Sequence, residues 1–257
     1  MRRRRATTLI TVAIEAPRET TPPRLPLTMD LRGSPRLPKM PVDLYYMPLS
    51  APCRSCMLTA KAVGVELNLK LLDLMAGEQM KPEFVAINPQ HCVPTMVDGD
   101  FALWESRAIC SYLATQYGKD SSLYPSDPKT RALVDRLMYF DMGTLYFRFG
   151  EYVYPVMFRG ETKANPEKLE KLHEALGWLD GYLDGHEWAV GNSVTVADFV
   201  LVATVSTFEA AGIDLSKHKN VTAWLARCKA NMAGYEEMNA KGAEDFGKMA
   251  REKLGSS

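Results

Sequence analysis

Three short stretches carry residue types that could hold a small anion. The first is Met47-Pro48-Leu49-Ser50-Ala51-Pro52-Cys53-Arg54. Ser50 stands immediately before a helix start, where free backbone N–H groups and the helix dipole favour negative charge. A thiolate brought there would gain the dipole and one charge-assisted hydrogen bond. Lowering a thiol by about two pH units from roughly 8.5 takes roughly 2.7 kcal/mol, an amount these two effects can supply. The same serine also suits an ordinary N-cap.

The second stretch is Asn88-Pro89-Gln90-His91-Cys92-Val93-Pro94-Thr95. A proline entering a short strand lacks the ladder N–H and marks a bend or a cis bond. A cis Val93–Pro94 bond would turn the Val93 backbone into a cleft, where it could pair with a bound peptide as an added strand. His91 could donate to a carboxylate, or simply occupy a surface loop. The third stretch is Trp104-Glu105-Ser106-Arg107-Ala108-Ile109. Ser106 reads as an N-cap whose N–H groups could take a carboxylate, and Glu105 could take an ammonium. Carboxylate and ammonium on one carbon make an α-amino acid head; the bland alternative is a helix start with a favourable acid.

The elements that must position these groups follow from hydrophobic spacing. Val42 to Met47 alternates as a strand, and Leu67, Leu69 and Leu71 repeat the pattern. Between them, Cys53 to Gly64 places Cys53, Met57 and Ala60 on one helical face. A short helix over 82–87 precedes two strands around the Asp98-Gly99-Asp100 turn, and a helix spans Glu105 to Tyr117. The order is βαβαββα. Residues 121–127 read as a linker, and Asp127-Pro128 as a cap and first turn. Beyond it only helices are expected, over 128–157, 166–184, 195–211, 219–230 and 236–253. The prediction is an α/β domain over 40–120 followed by an all-helical domain over 128–257. Val194-Thr195-Val196-Ala197-Asp198-Phe199 reads as a capping box with a hydrophobic staple. Tyr146, Phe149, Tyr152, Tyr154 and Phe158 form an aromatic stripe that suits either a core or an apolar pocket, and Pro155 should bend or end that helix.

The chain has 257 residues, 46% hydrophobic and 24% charged, with zero formal net charge. That zero hides an asymmetry: residues 1–39 hold nine basic and three acidic residues, +6, leaving −6 for the rest. No basic folded surface remains for nucleic acid. The Arg/Pro-rich stretch 1–39 is expected to be disordered. MRRRR with no acid before Glu15 resembles a mitochondrial presequence; an upstream start added before Met40 is the favoured reading. No apolar run reaches membrane-span length. Five cysteines suit reduced thiols in a cytoplasmic protein. Cys53-Arg54-Ser55-Cys56 raises thiol–disulfide exchange as an alternative, but both thiols fall inside the helix rather than at its mouth, and no second ligand pair accompanies them for a metal.

Taken as a set, Ser-Ala-Pro-Cys-Arg (50–54), Asn-Pro-Gln-His-x-x-Pro-Thr (88–95), Trp-Glu-Ser-Arg-Ala-Ile (104–109), Tyr139 to Tyr146 and Leu201 to Glu209 resemble an arthropod cytosolic glutathione transferase of the delta class, over about 40–245. The resemblance implies a thioredoxin-like first domain that binds glutathione and an all-α second domain that holds a hydrophobic electrophile. It implies Ser50 as the catalytic hydroxyl and His91 with Gln79 on the glycyl carboxylate. Val93 would make the backbone pair beside a cis Pro94. Glu105, Ser106 and Arg107 would hold the γ-glutamyl end, and Ala51, Pro52 and Leu74 would form the walls. Tyr146, Phe149, Tyr152, Tyr154 and Phe158 would line the second pocket. It further implies conjugation and detoxification, extending to dehydrochlorination and peroxidase activity. Glutathione would be a co-substrate with no cofactor or metal, in a homodimer. A non-catalytic ligand-binding or interaction protein of the same fold is the other alternative. Two positions depart from the pattern: Leu49 stands where the family usually has Gly, which could crowd the turn, and Gln79 where it commonly has His, which removes a charge.

Overall fold

The computed structural model describes residues 41–255, together with the backbone of a short antiparallel pair, β1 (Thr28–Met29) and β2 (Pro35–Arg36). That pair was not anticipated. The rest of the extension expected to be disordered lies outside the described residues.

From residue 42 the elements follow the predicted order: β3 (Val42–Tyr46), α1 (Ala51–Val63), β4 (Leu67–Leu71), α2 (Pro82–Val85), β5 (Thr95–Asp98), β6 (Phe101–Trp104) and α3 (Ser106–Tyr117). The sheet order is β4-β3-β5-β6. β3 runs parallel to β4, with Val42 opposite Leu67, and antiparallel to β5, with Leu44 opposite Met96. Alternation buries Val42 and Leu44 while Asp43 and Tyr45 stay partly exposed. Their buried face meets Leu58 of α1 and Ile109 and Leu113 of α3 in one core. This is the thioredoxin-like α/β arrangement expected from the sequence.

The helical part contains α4 (Pro128–Phe140), α5 (Tyr146–Phe158), α6 (Pro166–Tyr182), α7 (Val196–Ala210), α8 (Lys219–Asn231) and α9 (Lys241–Gly255). The single helix expected over 128–157 is interrupted by a π-helical segment, Asp141–Leu145. A π turn accommodates one extra residue, and here it buries Asp141 and Leu145 while Met142 and Gly143 face outward. A second π segment, Glu236–Ala240, leads into α9. Pro155 does not stop α5, which runs on to Phe158.

Central helix α7 is buried from Val196 to Phe208, hence mostly apolar on every face, and it packs on α1, α4 and α9. The crossing with α9 depends on Gly247, where a Cβ would fall 2.4 Å from the Ala210 carbonyl oxygen. The capping box forms as predicted. Asp198 accepts the Thr195 backbone N–H at 2.8 Å, and also the Ala189 N–H at 2.8 Å and the Trp224 indole N–H at 2.9 Å. No helix among the described residues is long and apolar enough to cross a membrane.

Candidate active site

The turn between β3 and α1 ends at Ser50, held by its own N–H donating to the Met47 carbonyl at 3.0 Å. Ser50 is the N-cap of α1: its backbone is extended and its Oγ accepts the Cys53 N–H at 3.4 Å. A hydroxyl that accepts in this way keeps its own proton to donate. The cap reading and the catalytic reading are therefore compatible, since capping uses a lone pair and catalysis would use the hydrogen. Leu49 does not strain the turn. It is half-buried against the core and is not among the described non-glycine residues with positive φ.

Cys53 and Cys56 are fully buried and unpaired. Burial pushes the Cys53 thiol up to about 11, against the lowering effect of Ser50. Burial also raises the Cys56 thiol, which donates to the Ser106 carbonyl at 3.6 Å. Neither is a thiolate at neutral pH, as the helix-interior placement implied.

The loop after β4 carries Leu74 and Gln79, and the Gln79 side-chain N–H donates to the Leu74 carbonyl at 3.4 Å while its Oε1 is buried without a partner. His91 is exposed at φ 44, and the Val93–Pro94 bond is cis. Asn88 organises this loop, and the sequence reading missed it. Fully buried, it donates to Thr95 Oγ1 at 2.8 Å and to the Cys92 carbonyl at 3.2 Å, while its Oδ1 accepts the Gln90 N–H at 2.9 Å. An Asn-Pro pair ahead of a strand is the local signal that could have pointed to it.

At the start of α3 the cap position belongs to Glu105, with Ser106 already helical, one residue from the expected assignment. Glu105 is exposed at φ 71, ψ 101, a conformation costing a side-chain-bearing residue about 1–3 kcal/mol. Such strain concentrates where a fold presents a group to a ligand. Ser106 is buried, and its Oγ accepts from Arg107 Nη1 at 3.0 Å. The other arm of Arg107 forms an ion pair with Asp141 from the π segment. Burial alone would lower Arg107, but the Asp141 carboxylate outweighs it and holds the guanidinium up; Asp141 itself is raised by its burial. The guanidinium expected on a ligand is thus turned inward, toward Ser106 and Asp141.

The aromatic stripe divides. Phe149 is 0% exposed and stacks on Phe208 at 4.4 Å between centroids, so it belongs to the core rather than a pocket wall. Successive steps of three residues drift backward around a helix of 3.6 residues per turn, which puts Tyr146 and Tyr152 on either side of it. Tyr146 and Tyr154 share a hydroxyl–hydroxyl hydrogen bond of 2.6 Å, and burial raises both phenols, so both keep their protons. Phe158 is 55% exposed with its ring 5.6 Å from that of Tyr154, and Tyr152 is half-buried.

A thioredoxin-like sheet, a capping hydroxyl at a helix N-terminus, a cis proline and an inward ion pair joining the α/β and helical parts define one class of two-domain protein. The family model "Glutathione S-transferase, N-terminal domain" matches residues 40–115, and "Glutathione S-transferase, C-terminal domain" matches 145–231. A delta-class glutathione transferase of Nilaparvata lugens is 53% identical, covering 83% of this chain and 100% of that chain with a TM-score of 0.81. A Bombyx mori glutathione transferase is 44% identical, covering 83% and 100%, with a TM-score of 0.80. A Drosophila mojavensis glutathione transferase homolog, solved with bound glutathione, is 33% identical, covering 83% and 97%, with a TM-score of 0.77. The chain belongs to the glutathione S-transferase family and is a glutathione transferase of the delta-class type.

Proposed function

We propose that glutathione lies with its sulfur at Ser50, its cysteinyl backbone beside Val93 and Pro94, and its glycyl carboxylate toward His91 and Gln79. Its γ-glutamyl head sits at Glu105 and Ser106, with Ala51, Pro52 and Leu74 as walls. Arg107 supports the head through Ser106. One observation carries this reading: the Ser50 Oγ accepts the Cys53 N–H, leaving its proton for a sulfur at the N-terminus of α1. Gln79 has a second amide hydrogen beyond the one given to Leu74, which suits a carboxylate oxygen.

In the reaction, the thiol proton leaves to solvent and Ser50 donates a hydrogen bond to the thiolate without losing its own proton. The thiolate attacks an electrophilic carbon held against Tyr146, Tyr154 and Phe158. With a chlorinated substrate the C–S bond forms as the C–Cl bond breaks and chloride departs. Where a β-hydrogen is accessible, the same thiolate can remove it instead, expelling chloride as an alkene forms. Glutathione is a co-substrate, and no metal or other cofactor takes part.

The working unit is a homodimer. An apolar cleft of about 620 Å³ between α3 and α4, beside Glu105 and Arg107, contains Tyr139, 67% exposed, and Met142; a second copy would cover them. The five unpaired cysteines suit the reducing cytoplasm.

A steady-state assay with glutathione and a chlorinated nitrobenzene tests the reading. Ser50→Ala should lose about 10- to 100-fold in kcat/KM while remaining folded, the value of one hydrogen bond to a charged group. Equal rates for both proteins would remove Ser50 from catalysis, and a loss confined to Cys53→Ser would favour redox chemistry.

A further inference from the structure

The largest buried charge near the Ser50 turn has no assigned task. Arg54, one turn into α1, is 1% exposed. Its Nη1 donates to Asn239 Oδ1 at 2.6 Å and to the Asn239 carbonyl at 3.2 Å, and its Nη2 donates to Thr207 Oγ1 at 2.5 Å. Its Nε is buried without a partner. Every acceptor is neutral. The ionisable groups acting on Arg54 are Tyr146, Tyr235 and Cys53, and burial raises all three, so none is an anion at neutral pH. Burial pulls the guanidinium itself down only to about 10, so it stays charged. No carboxylate is among the groups acting on Arg54, and Glu237, Glu209 and Glu244 pair with Lys61, Lys229 and Arg251. Folds rarely keep a buried cation without a counter-ion, because desolvation is not repaid.

The aliphatic stem of Arg54 lies close to the turn that would receive an anion, and its charge lowers the thiol of Cys53, the residue whose N–H caps on Ser50. Side chains four apart on a helix share a face and lean toward its N-terminus, which directs Arg54 toward Ser50. A second contact bounds the position of that stem. A Cβ built on Gly242 of α9 would fall 2.3 Å from the Pro48 carbonyl oxygen and 2.8 Å from Arg54 Cδ, which puts that Cδ no more than about 5 Å from the backbone two residues before Ser50. The lack of a side chain at Gly242 is what lets the C-terminal helix close on this turn.

We propose that Arg54 is a positioning residue whose unneutralised charge beneath the Ser50 turn favours glutathione sulfur as the thiolate, while its neutral partners Asn239 and Thr207 fix it there without cancelling that charge. The anion it lacks in the protein is the one the ligand brings. The inference rests on the placement of the glutathione sulfur at Ser50.

The test titrates the thiolate absorbance of glutathione bound to the full-length protein against pH, in wild type and three variants, with thermal denaturation alongside. Arg54→Met should move the midpoint up by about one pH unit, tenfold in acidity. Arg54→Lys should keep it near wild type. Asn239→Asp keeps the arginine and both of its acceptors at 239, gives up only the side-chain N–H donated to Ser206 Oγ, and supplies a carboxylate, so it should move the midpoint up as Arg54→Met does. Midpoints unchanged in both Arg54→Met and Asn239→Asp would overturn the proposal, whatever happens to stability. An equal shift in Arg54→Lys and Arg54→Met would overturn the role of charge. A wild type whose bound thiol titrates like free glutathione would instead contradict the placement of sulfur at Ser50.

Discussion

Arg107 at the start of α3 and Asp141 in the π segment form a buried ion pair that ties the α/β part to the helical part directly behind Ser106. Asp141 is 0% exposed and Arg107 is largely buried, so removing Asp141 leaves a largely desolvated guanidinium uncompensated. Asp141→Ala should cost about 3–5 kcal/mol by urea denaturation. It should also raise the KM for glutathione, because Arg107 would no longer hold Ser106 in place. A stability loss with unchanged KM would confine the pair to a structural task.

Phe149 and Phe158 were indistinguishable as members of one aromatic stripe, and the structure separates them. Phe149→Ala should cost about 3–5 kcal/mol, since it empties a site stacked on Phe208. Phe158→Ala should stay within about 0.5 kcal/mol of wild type and change only the KM for the hydrophobic substrate. Chemical denaturation and steady-state kinetics on the two variants decide the matter.

His173 of α6 and His218 at the start of α8 face each other with Nδ1 and Nε2 3.2 Å apart. Their ring centroids are 5.5 Å apart with planes 17° apart, the separation of two imidazoles whose nitrogens meet in line through one shared proton. Burial lowers His218, followed by the charge of His173, with Lys217 adding to it and Asp180 and Asp214 opposing. A lowered histidine takes up its proton more readily in the unfolded chain. Stability should therefore be full above the unfolded value of about 6.5 and fall as pH drops toward the lowered folded value. Urea midpoints measured from pH 7.5 to 5 should decline for wild type and decline less for His218→Gln. Parallel slopes would place the acid sensitivity elsewhere.

Two neighbouring helices separate what a sequence can convey from what it cannot. The cap of α7 is local, Thr195 with Asp198, and was legible. The cap of α8 is not: Asp180 of α6 accepts the Asn220 N–H at 2.7 Å and the Val221 N–H at 3.0 Å across some forty residues of chain. The site divides in the same way. Ser50, Pro94 and Glu105 sit in turns whose residue types announce them. Asp141 looked like one more residue of a continuous helix, because periodicity does not register a π turn. Arg54 drew no role from the sequence, because nothing local reports that Asn239 and Thr207 close over it. The βαβαββα order and the helical succession were readable because each element buries one regularly spaced face.

Ser50 is tested most directly by titrating the thiolate absorbance of glutathione bound to wild type and to Ser50→Ala. The wild-type midpoint should lie about two pH units below the free thiol, and the alanine variant should return most of that shift. The cap should meanwhile cost about 1 kcal/mol in stability. Superimposable titrations from two folded, glutathione-bound proteins would contradict the assignment of Ser50 as the hydroxyl that holds the thiolate.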